Sequence, residues 1–270
     1  MSAGAPRVAA VIGWPIEHSR SPAMLNAAFA AAGIDAEMIR VGAPPEHFAR
    51  AIAELRALPM IGASVTMPHK LAAHALCDEL SPAARAIGAV NCLALAGATL
   101  VGHNTDAPGF ADAAALAGVA LAGARVVLLG AGGAARAVAY GASAAGATVE
   151  VVARGGCGWV TARPWSELAD ALARADVVVD CTPTGLDAAT GAAFAAALPL
   201  DALRTGACVA TLVYHRATEL LERASARGHS TLDGRGMLVH QAAHAFALWT
   251  GKPAPTAAMS AALAHSLSQS

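Results

Sequence analysis

Of the 18 cationic side chains, sixteen are arginine and two are lysine, Lys70 and Lys252. A lysine in the run Ser64-Val65-Thr66-Met67-Pro68-His69-Lys70 therefore stands against the drift of the composition. The run follows an apolar stretch that reads as a strand, and side chains just past the carboxyl end of a strand face the ligand crevice in open α/β sheets. A solvated surface lysine is the plainer reading of the same position. Gly13-Trp14-Pro15-Ile16-Glu17-His18-Ser19-Arg20-Ser21-Pro22 offers hydroxyls and free N–H groups to a carboxylate. Helix capping explains Ser21-Pro22 but not Ser19. Asn104-Thr105-Asp106 is a similarly compact polar cluster, in which Asp106 equally serves as a helix cap.

A fourth segment is richer. Val126-Val127-Leu128-Leu129-Gly130-Ala131-Gly132-Gly133-Ala134-Ala135-Arg136 reads as buried strand, glycine turn and helix start, the context in which a dinucleotide fingerprint has physical meaning. Gly130 allows the tight turn, Gly132 lets the backbone approach a pyrophosphate, Ala135 fills the third small position, and the helix N-terminus offers its N–H groups and dipole. A purely structural glycine turn is the alternative. About 20 residues on, where an acidic side chain would hold the 2′-hydroxyl of NAD, the strand Thr148 to Ala153 ends in Ala153-Arg154. Arginine there suits a 2′-phosphate and favours NADP; a solvated arginine, or a register that brings Glu150 to the tip, are the competing readings.

Elements must hold these segments in place. Val- and Ile-rich runs alternate with Ala-rich helical stretches, the βαβ rhythm of an α/β protein. The first block is predicted as a strand from Arg7 to Ile12, a helix capped by Ser21 and ending at Gly33, a strand from Met38 to Val41, a helix from Pro45 with Phe48, Ile52 and Leu55 on one face, a strand from Ile61 to Val65, and a hairpin of Val90–Leu95 with Thr99–Val101. Ala107-Pro108-Gly109 reads as a hinge. A second block follows, with strands at Arg125–Leu129 and near 148–153, 176–180 and 207–212, forming a Rossmann-like nucleotide domain over 107–236. Two Ala-rich helical stretches, Met237–Trp249 and Thr256–Leu267, bring no strand to that sheet and are expected to return to the first domain, 1–106 and 237–270, with Met237, Leu238, Phe246 and Trp249 sealing the contact. A cleft between the two domains is the expected site.

Composition agrees with this reading. At 270 residues, against a typical domain of roughly 150, two modest domains fit; hydrophobic residues at 56% and charged ones at 14% exclude a disordered chain, and a net charge of -1 gives no basic field for nucleic acid. No stretch reads as a membrane span and residues 1–7 do not read as a secretory signal, so the cytoplasm is the expected location. Cysteines at 77, 92, 157, 181 and 208 have no metal or disulfide spacing and read as small core residues. His18, His69 and His103 lack partners at metal spacing, so no metal is expected.

Taken in order, these segments resemble the shikimate dehydrogenase family across nearly the whole chain. The family's Gly-x-Pro-Ile-x-His-Ser-x-Ser-Pro is matched at Gly13 to Pro22 and its Val-Thr-x-Pro-x-Lys at Val65 to Lys70; Gly88-Ala89-Val90-Asn91, Asn104-Thr105-Asp106 and the turn at Gly130 follow. Thr182-Pro183-Thr184-Gly185 stands where the family often has Asn-x-Thr-x-x-Gly, and Gly236-Met237-Leu238-Val239-His240-Gln241-Ala242 matches its C-terminal pattern loosely. The resemblance implies NADP-linked interconversion of 3-dehydroshikimate and shikimate, a step of aromatic amino acid biosynthesis on the chorismate pathway, by a monomer or homodimer. It implies Lys70 and Asp106 as the polar pair at the reacting oxygen, Ser19 and Ser21 on the carboxylate, Thr66, Asn91 and Gln241 on ring hydroxyls, and Tyr214 closing the site. Gly130, Ala131, Gly132, Gly133, Ala134, Arg154, Thr182 and Met237 would hold the cofactor. Lysine releases a proton and arginine does not, which accounts for lysine at 70.

Three departures qualify the expectation. Ser64 replaces the family's asparagine, Thr211 to Arg216 replaces its Asp-x-x-Tyr-x-Pro stretch, and Ala153-Arg154-Gly155 is followed by Gly156-Cys157-Gly158-Trp159-Val160-Thr161. If Val160 begins the next strand, too few residues remain for a crossover helix, which predicts a missing helix, an open adenine end and weakened NADP affinity. A quinate or related dehydrogenase with relaxed substrate or cofactor choice, and a catalytically poor NADP(H) or metabolite sensor, are the alternatives.

Overall fold

The computed structural model describes residues 7–155 and 158–269. In chain order the regular elements are β1 (Arg7–Gly13), α1 (Ser21–Ala31), β2 (Ala36–Gly42), α2 (Phe48–Arg56), β3 (Met60–Val65), α3 (Lys70–Leu76), β4 (Glu79–Leu80), α4 (Pro82–Ile87), β5 (Cys92–Ala96) and β6 (Thr99–His103). There follow α5 (Asp106–Leu116), β7 (Arg125–Leu129), α6 (Gly133–Ala144), β8 (Thr148–Ala153), β9 (Arg163–Pro164), α7 (Leu168–Leu172), β10 (Val177–Asp180), α8 (Ala188–Ala197), β11 (Cys208–Thr211), α9 (Glu219–Ser225), β12 (Ser230–Leu232), α10 (Arg235–Thr250) and α11 (Thr256–Ser268). The chain divides into two compact units, one of residues up to Thr105 together with Val239 onward, the other of Asp106–Leu238. The α/β class is as the alternating pattern requires, and no helix among the described residues is long and apolar enough to cross a membrane.

The first unit holds a sheet in the order β2-β1-β3-β5-β6-β4. β1, β2 and β3 run parallel, while β5 and β6 form an antiparallel hairpin laid against β3. Parallel neighbours need helical crossovers, which α1 and α2 supply; the hairpin needs only its tight turn at Gly97. One face is packed by Phe48, Ile52, Ile12, Val65, Leu93 and Leu100. From α10, Phe246 meets Phe29 of α1 at 5.6 Å between ring centroids, and the buried Trp249 donates its indole N–H to the Leu93 carbonyl at 3.0 Å. This close approach explains Gly62: a Cβ there would overlap the Trp249 ring.

The second unit's sheet runs β12-β11-β10-β7-β8-β9, all parallel, with its strand order reversing between β7 and β10. Both faces are apolar, as a doubly covered parallel sheet demands: Val127, Leu129, Val152, Leu172 and Val209 on one side, Val126, Leu128, Val138, Val151 and Val179 on the other.

Four local expectations need correction. Ala107-Pro108-Gly109 is no hinge but the opening of α5, because proline costs nothing in a first turn whose N–H groups have no intrahelical acceptor. Ser21 is the first helical residue, not the cap; Arg20 holds that position without a side-chain cap, and Ser21 is buried. Val160 is not in a strand: pairing with β8 begins only at Arg163, where that arginine is ion-paired to Glu150 and Glu167. Met237 packs against the second unit's core rather than sealing the first. Cys92 and Cys208 are buried and Cys77 and Cys181 partly so; Cys157 lies outside the described residues.

Gly62→Ala is expected to destabilise the protein by about 1–3 kcal/mol, the usual cost of overpacking, and urea unfolding would read it as a lower midpoint with an unchanged slope.

Candidate active site

In the first unit the chemistry-bearing loops leave the carboxyl ends of β1 and β3, which parallel pairing sets side by side. The Thr66 N–H donates to the Ile12 carbonyl at 2.9 Å and the Trp14 N–H to the Met67 carbonyl at 3.0 Å, tying the Gly13–Pro22 loop to the Thr66–Lys70 loop. Ser19 is held from both sides: its N–H donates to Ile16 at 3.0 Å and its carbonyl accepts from the Arg40 guanidinium at 2.7 and 3.1 Å. The Ser21 N–H donates to the Ser19 hydroxyl at 3.4 Å, so the two predicted carboxylate binders share one turn. Lys70 is the first residue of α3, and its carbonyl accepts the Val90 N–H at 2.9 Å, one residue from Asn91.

Asn91 organises the polar centre. Its Oδ1 accepts the Thr105 N–H at 2.7 Å, and its Nδ2 donates to the Thr105 hydroxyl at 2.9 Å and, at the longer distance of 3.5 Å, to Gln241 Oε1. Asn91, Thr105 and Gln241 are all buried. Asn104 reaches back to the Ala89 carbonyl at 3.0 Å, which makes it a brace for the Gly88–Asn91 turn. Asp106, also buried, opens α5, where the helix dipole favours a carboxylate. Burial lowers the pKa of His103 below its ordinary value, favouring the neutral imidazole. His69 is structural: it stacks on Phe48 at 4.2 Å between centroids, and its Nε2 meets the Ala43 carbonyl at 2.7 Å.

In the second unit the loops after β7 and β10 flank the point of strand reversal, the place where open α/β sheets bind nucleotides. Gly130 has φ +95°, a conformation that favours glycine, and a Cβ there would stand 3.0 Å from the Thr182 methyl. Gly132 caps α6, and a Cβ on Gly132 or Gly133 meets nothing within 4 Å. The turn therefore leaves open space in front of N–H groups without helical acceptors, and it fits a pyrophosphate. Arg154 is exposed just past the tip of β8, while Glu150 sits inside the strand opposite Val127, paired to Arg163. The tip thus carries a cation and no acid. Tyr214 lies beyond β11 in an irregular segment, where its carbonyl accepts from Arg235 at 3.2 Å.

Two features of this unit escaped the sequence reading. Residues 154–155 and 158–162 form no helix, in line with the expected missing crossover, yet Trp159 donates its indole N–H to the Ala131 carbonyl at 3.0 Å, and the Arg136 guanidinium lies over its ring, 5.7 Å from the centroid. The only signal was the tryptophan itself, in a stretch read for its length alone. The other is Asp180, buried at the end of β10, whose Oδ1 accepts from the Thr182 N–H at 2.9 Å and hydroxyl at 2.6 Å. It occupies the asparagine position of the family pattern, and the departure was visible in the sequence.

Burial pushes the Asp180 carboxyl above its ordinary pKa, against the opposing pull of the Thr182 hydrogen bonds. The folded state therefore holds this proton more tightly than the unfolded chain, so stability contributed below the ordinary carboxylate pKa is lost as pH rises through the raised value. Asp180→Asn keeps the accepting oxygen and removes the charge. Calorimetry at pH 8 should find the variant more stable, by about 2–4 °C if roughly 1 kcal/mol is recovered, with the gain shrinking toward pH 5; an equal gain at both would acquit the charge.

Comparison with known proteins accords with this geometry. Residues 11–93 match the family model described as the shikimate dehydrogenase substrate binding domain, and residues 234–264 that of the shikimate 5′-dehydrogenase C-terminal domain. Shikimate dehydrogenase (NADP(+)) of Symbiobacterium thermophilum is 40% identical over 286 residues, 97% of this chain and 96% of its own. Shikimate 5-dehydrogenase from Thermus thermophilus, solved in complex with NADP(H) and shikimate, superposes with TM-score 0.85 at 34% identity, covering 96% of this chain and 99% of that one. The ligand-free 5-ketofructose reductase of a Gluconobacter strain gives TM-score 0.80 at 29% identity over 96% and 98%. With identity at this level over almost all of its length, the chain belongs to the shikimate dehydrogenase family.

Proposed function

We propose that the protein is an NADP-dependent oxidoreductase interconverting shikimate and 3-dehydroshikimate. The observation that carries this reading is the buried Asn91–Thr105–Gln241 cluster, tied through Val90 to Lys70, in a chain that also carries the Gly130 turn at its strand reversal. Such a cluster presents amide and hydroxyl groups to a polyhydroxylated ring, which a plain core would not retain. NADP+, when bound, would supply the hydride acceptor for oxidation of the secondary alcohol. The chain's own residues do the rest. Ser19 and Ser21 hold the carboxylate, and Thr66, Asn91 and Gln241 hold ring hydroxyls. Lys70 exchanges the proton of the reacting oxygen, with Asp106 orienting that oxygen as its partner. The turn from Gly130 to Ala134 binds pyrophosphate and Arg154 the 2′-phosphate, with Thr182 and Met237 also holding the cofactor; Tyr214 closes over the substrate. The domains 1–106 with 237–270 and 107–236 divide these tasks between substrate and dinucleotide. A cytoplasmic monomer or homodimer goes with this reading.

One observation favours a second reading, a related hydroxylated acid such as quinate. Ser64, buried at the end of β3 and paired with Cys92, replaces the asparagine of the family pattern with a shorter side chain. The related fold of 5-ketofructose reductase belongs to a protein named for a different ketone.

Initial rates at the reduced-nicotinamide absorbance band, with shikimate or quinate against NADP+ or NAD+, separate these. Activity confined to shikimate and NADP+ is expected; quinate with NAD+ winning would overturn the first reading. Lys70→Ala should lower kcat by a factor on the order of 100 with KM for shikimate nearly unchanged, as loss of a proton-transfer group does, and near-normal turnover would remove Lys70 from the mechanism.

A further inference from the structure

The connection between β8 and β9 is the place where this chain departs most from a doubly wound sheet. Two parallel neighbours are ordinarily joined by a crossover of about a dozen residues or more, usually helical. Here residues 154–162 do the joining, and β9 is a two-residue strand. A missing crossover would leave the sheet end beside the glycine turn bare. It is covered instead by Trp159, half-buried against the apolar layer that includes Ala131, Val151 and Ala162.

The indole is fixed in two ways. Its N–H is spent on the Ala131 carbonyl, within the very turn that fits a pyrophosphate. Its ring carries the Arg136 guanidinium from the first turn of α6, an arrangement that holds the cation without neutralising it. Among the described residues Arg136 makes no ion pair, whereas Arg163, on the next strand, is engaged by Glu150 and Glu167. Arg154, exposed at the strand tip, leads into the same segment.

An aromatic ring, an unneutralised guanidinium beside it, and a glycine turn that binds pyrophosphate make the chemical complement of an adenosine 2′-phosphate. Base–aromatic stacking tolerates any purine face, and guanidinium is suited to a phosphate. We propose that the Trp159–Arg136 pair replaces the lost crossover helix as the adenosine-end wall of the dinucleotide site, with Arg136 joining Arg154 in selecting the 2′-phosphate. This rests on the NADP reading above and assigns to it residues that the family resemblance did not.

Isothermal titration with adenosine 2′,5′-bisphosphate and with 5′-AMP tests the wall without turnover. Trp159→Ala should weaken both nucleotides about tenfold, the scale of one lost base–aromatic stack. Trp159→Phe, which keeps a ring but not the N–H, should fall between. Arg136→Ala should weaken the bisphosphate about tenfold and 5′-AMP little, narrowing the ratio between them, with Arg136→Lys restoring part of it. Shikimate binding, measured alongside, should be unchanged in all variants and reports their folding. Unaltered or tighter nucleotide binding by Trp159→Ala, or an equal loss of both nucleotides in Arg136→Ala, overturns the proposal while leaving the NADP reading intact. A parent protein that binds neither the bisphosphate nor NADP+ overturns both.

Discussion

A buried carboxamide has to find partners for its donors and its acceptor or be expelled, because each unmet group costs on the order of 1–3 kcal/mol. Asn91 meets that demand through Thr105 and Gln241, residues contributed by the end of the hairpin and by a helix 150 positions later in the chain. The consequence is geometric. The hairpin strand β5, the segment entering α5 and the helix α10 are fixed to one point, and Val90, bonded to the Lys70 carbonyl, fixes the start of α3 to the same point. Around it the apolar packing does the heavier stabilising work, with Trp249 seated where Gly62 leaves room. The polar centre contributes little net stability by comparison; what it contributes is uniqueness of arrangement.

The second unit solves a different problem with the same sheet logic. In both units the functional loops leave the carboxyl ends of parallel strands, since the crossovers return over the faces and leave those ends free. The first unit fills its ends with side chains that bond one another. The second leaves open space in front of Gly132 and Gly133 at the start of α6, where backbone N–H groups have no helical acceptor. Its one buried acid near that turn, Asp180, accepts from the N–H and hydroxyl of Thr182, whose hydroxyl is in turn bonded to that of Thr184; burial outweighs these bonds and raises the carboxyl's pKa.

Much of this was legible in the sequence, for identifiable reasons. Continuous Val and Leu runs mark the buried parallel strands, and the two-period hairpin ends at a glycine. The strand–glycine–helix order at Gly130 admits few backbone conformations. The errors fall where a local signal has two structural uses. Pro108-Gly109 breaks a helix in its interior and starts one in its first turn, and only the neighbouring packing decides between them: α6 comes so close that Gly141 can carry no Cβ against the Ala107 carbonyl. Ser21 had the composition of a cap but lies inside the helix. Polar contacts distant in sequence, such as Asn91 with Gln241, carry no periodic signature at all; they were reached through family resemblance, not spacing.

The shortened connection after β8 is tolerable because of where it falls. β9 is the outermost strand on its side, separated from the reversal point between β7 and β10 by β8 and β7 themselves. Deleting a crossover there removes cover from an edge, and an edge can be re-covered by one large side chain. Tryptophan suits the task because it buries a wide apolar surface, provided its single N–H finds an acceptor. The Ala131 carbonyl is such an acceptor, and its use has a second effect. It ties the glycine turn to the segment that follows the next strand, so that the turn remains anchored on the side where the crossover helix would otherwise have braced it. A deletion on the other side of the reversal, between β10 and β11, would have no equivalent remedy, because β10 is paired on both sides and the polar loop that ends it, from Asp180 to Thr184, touches the turn directly.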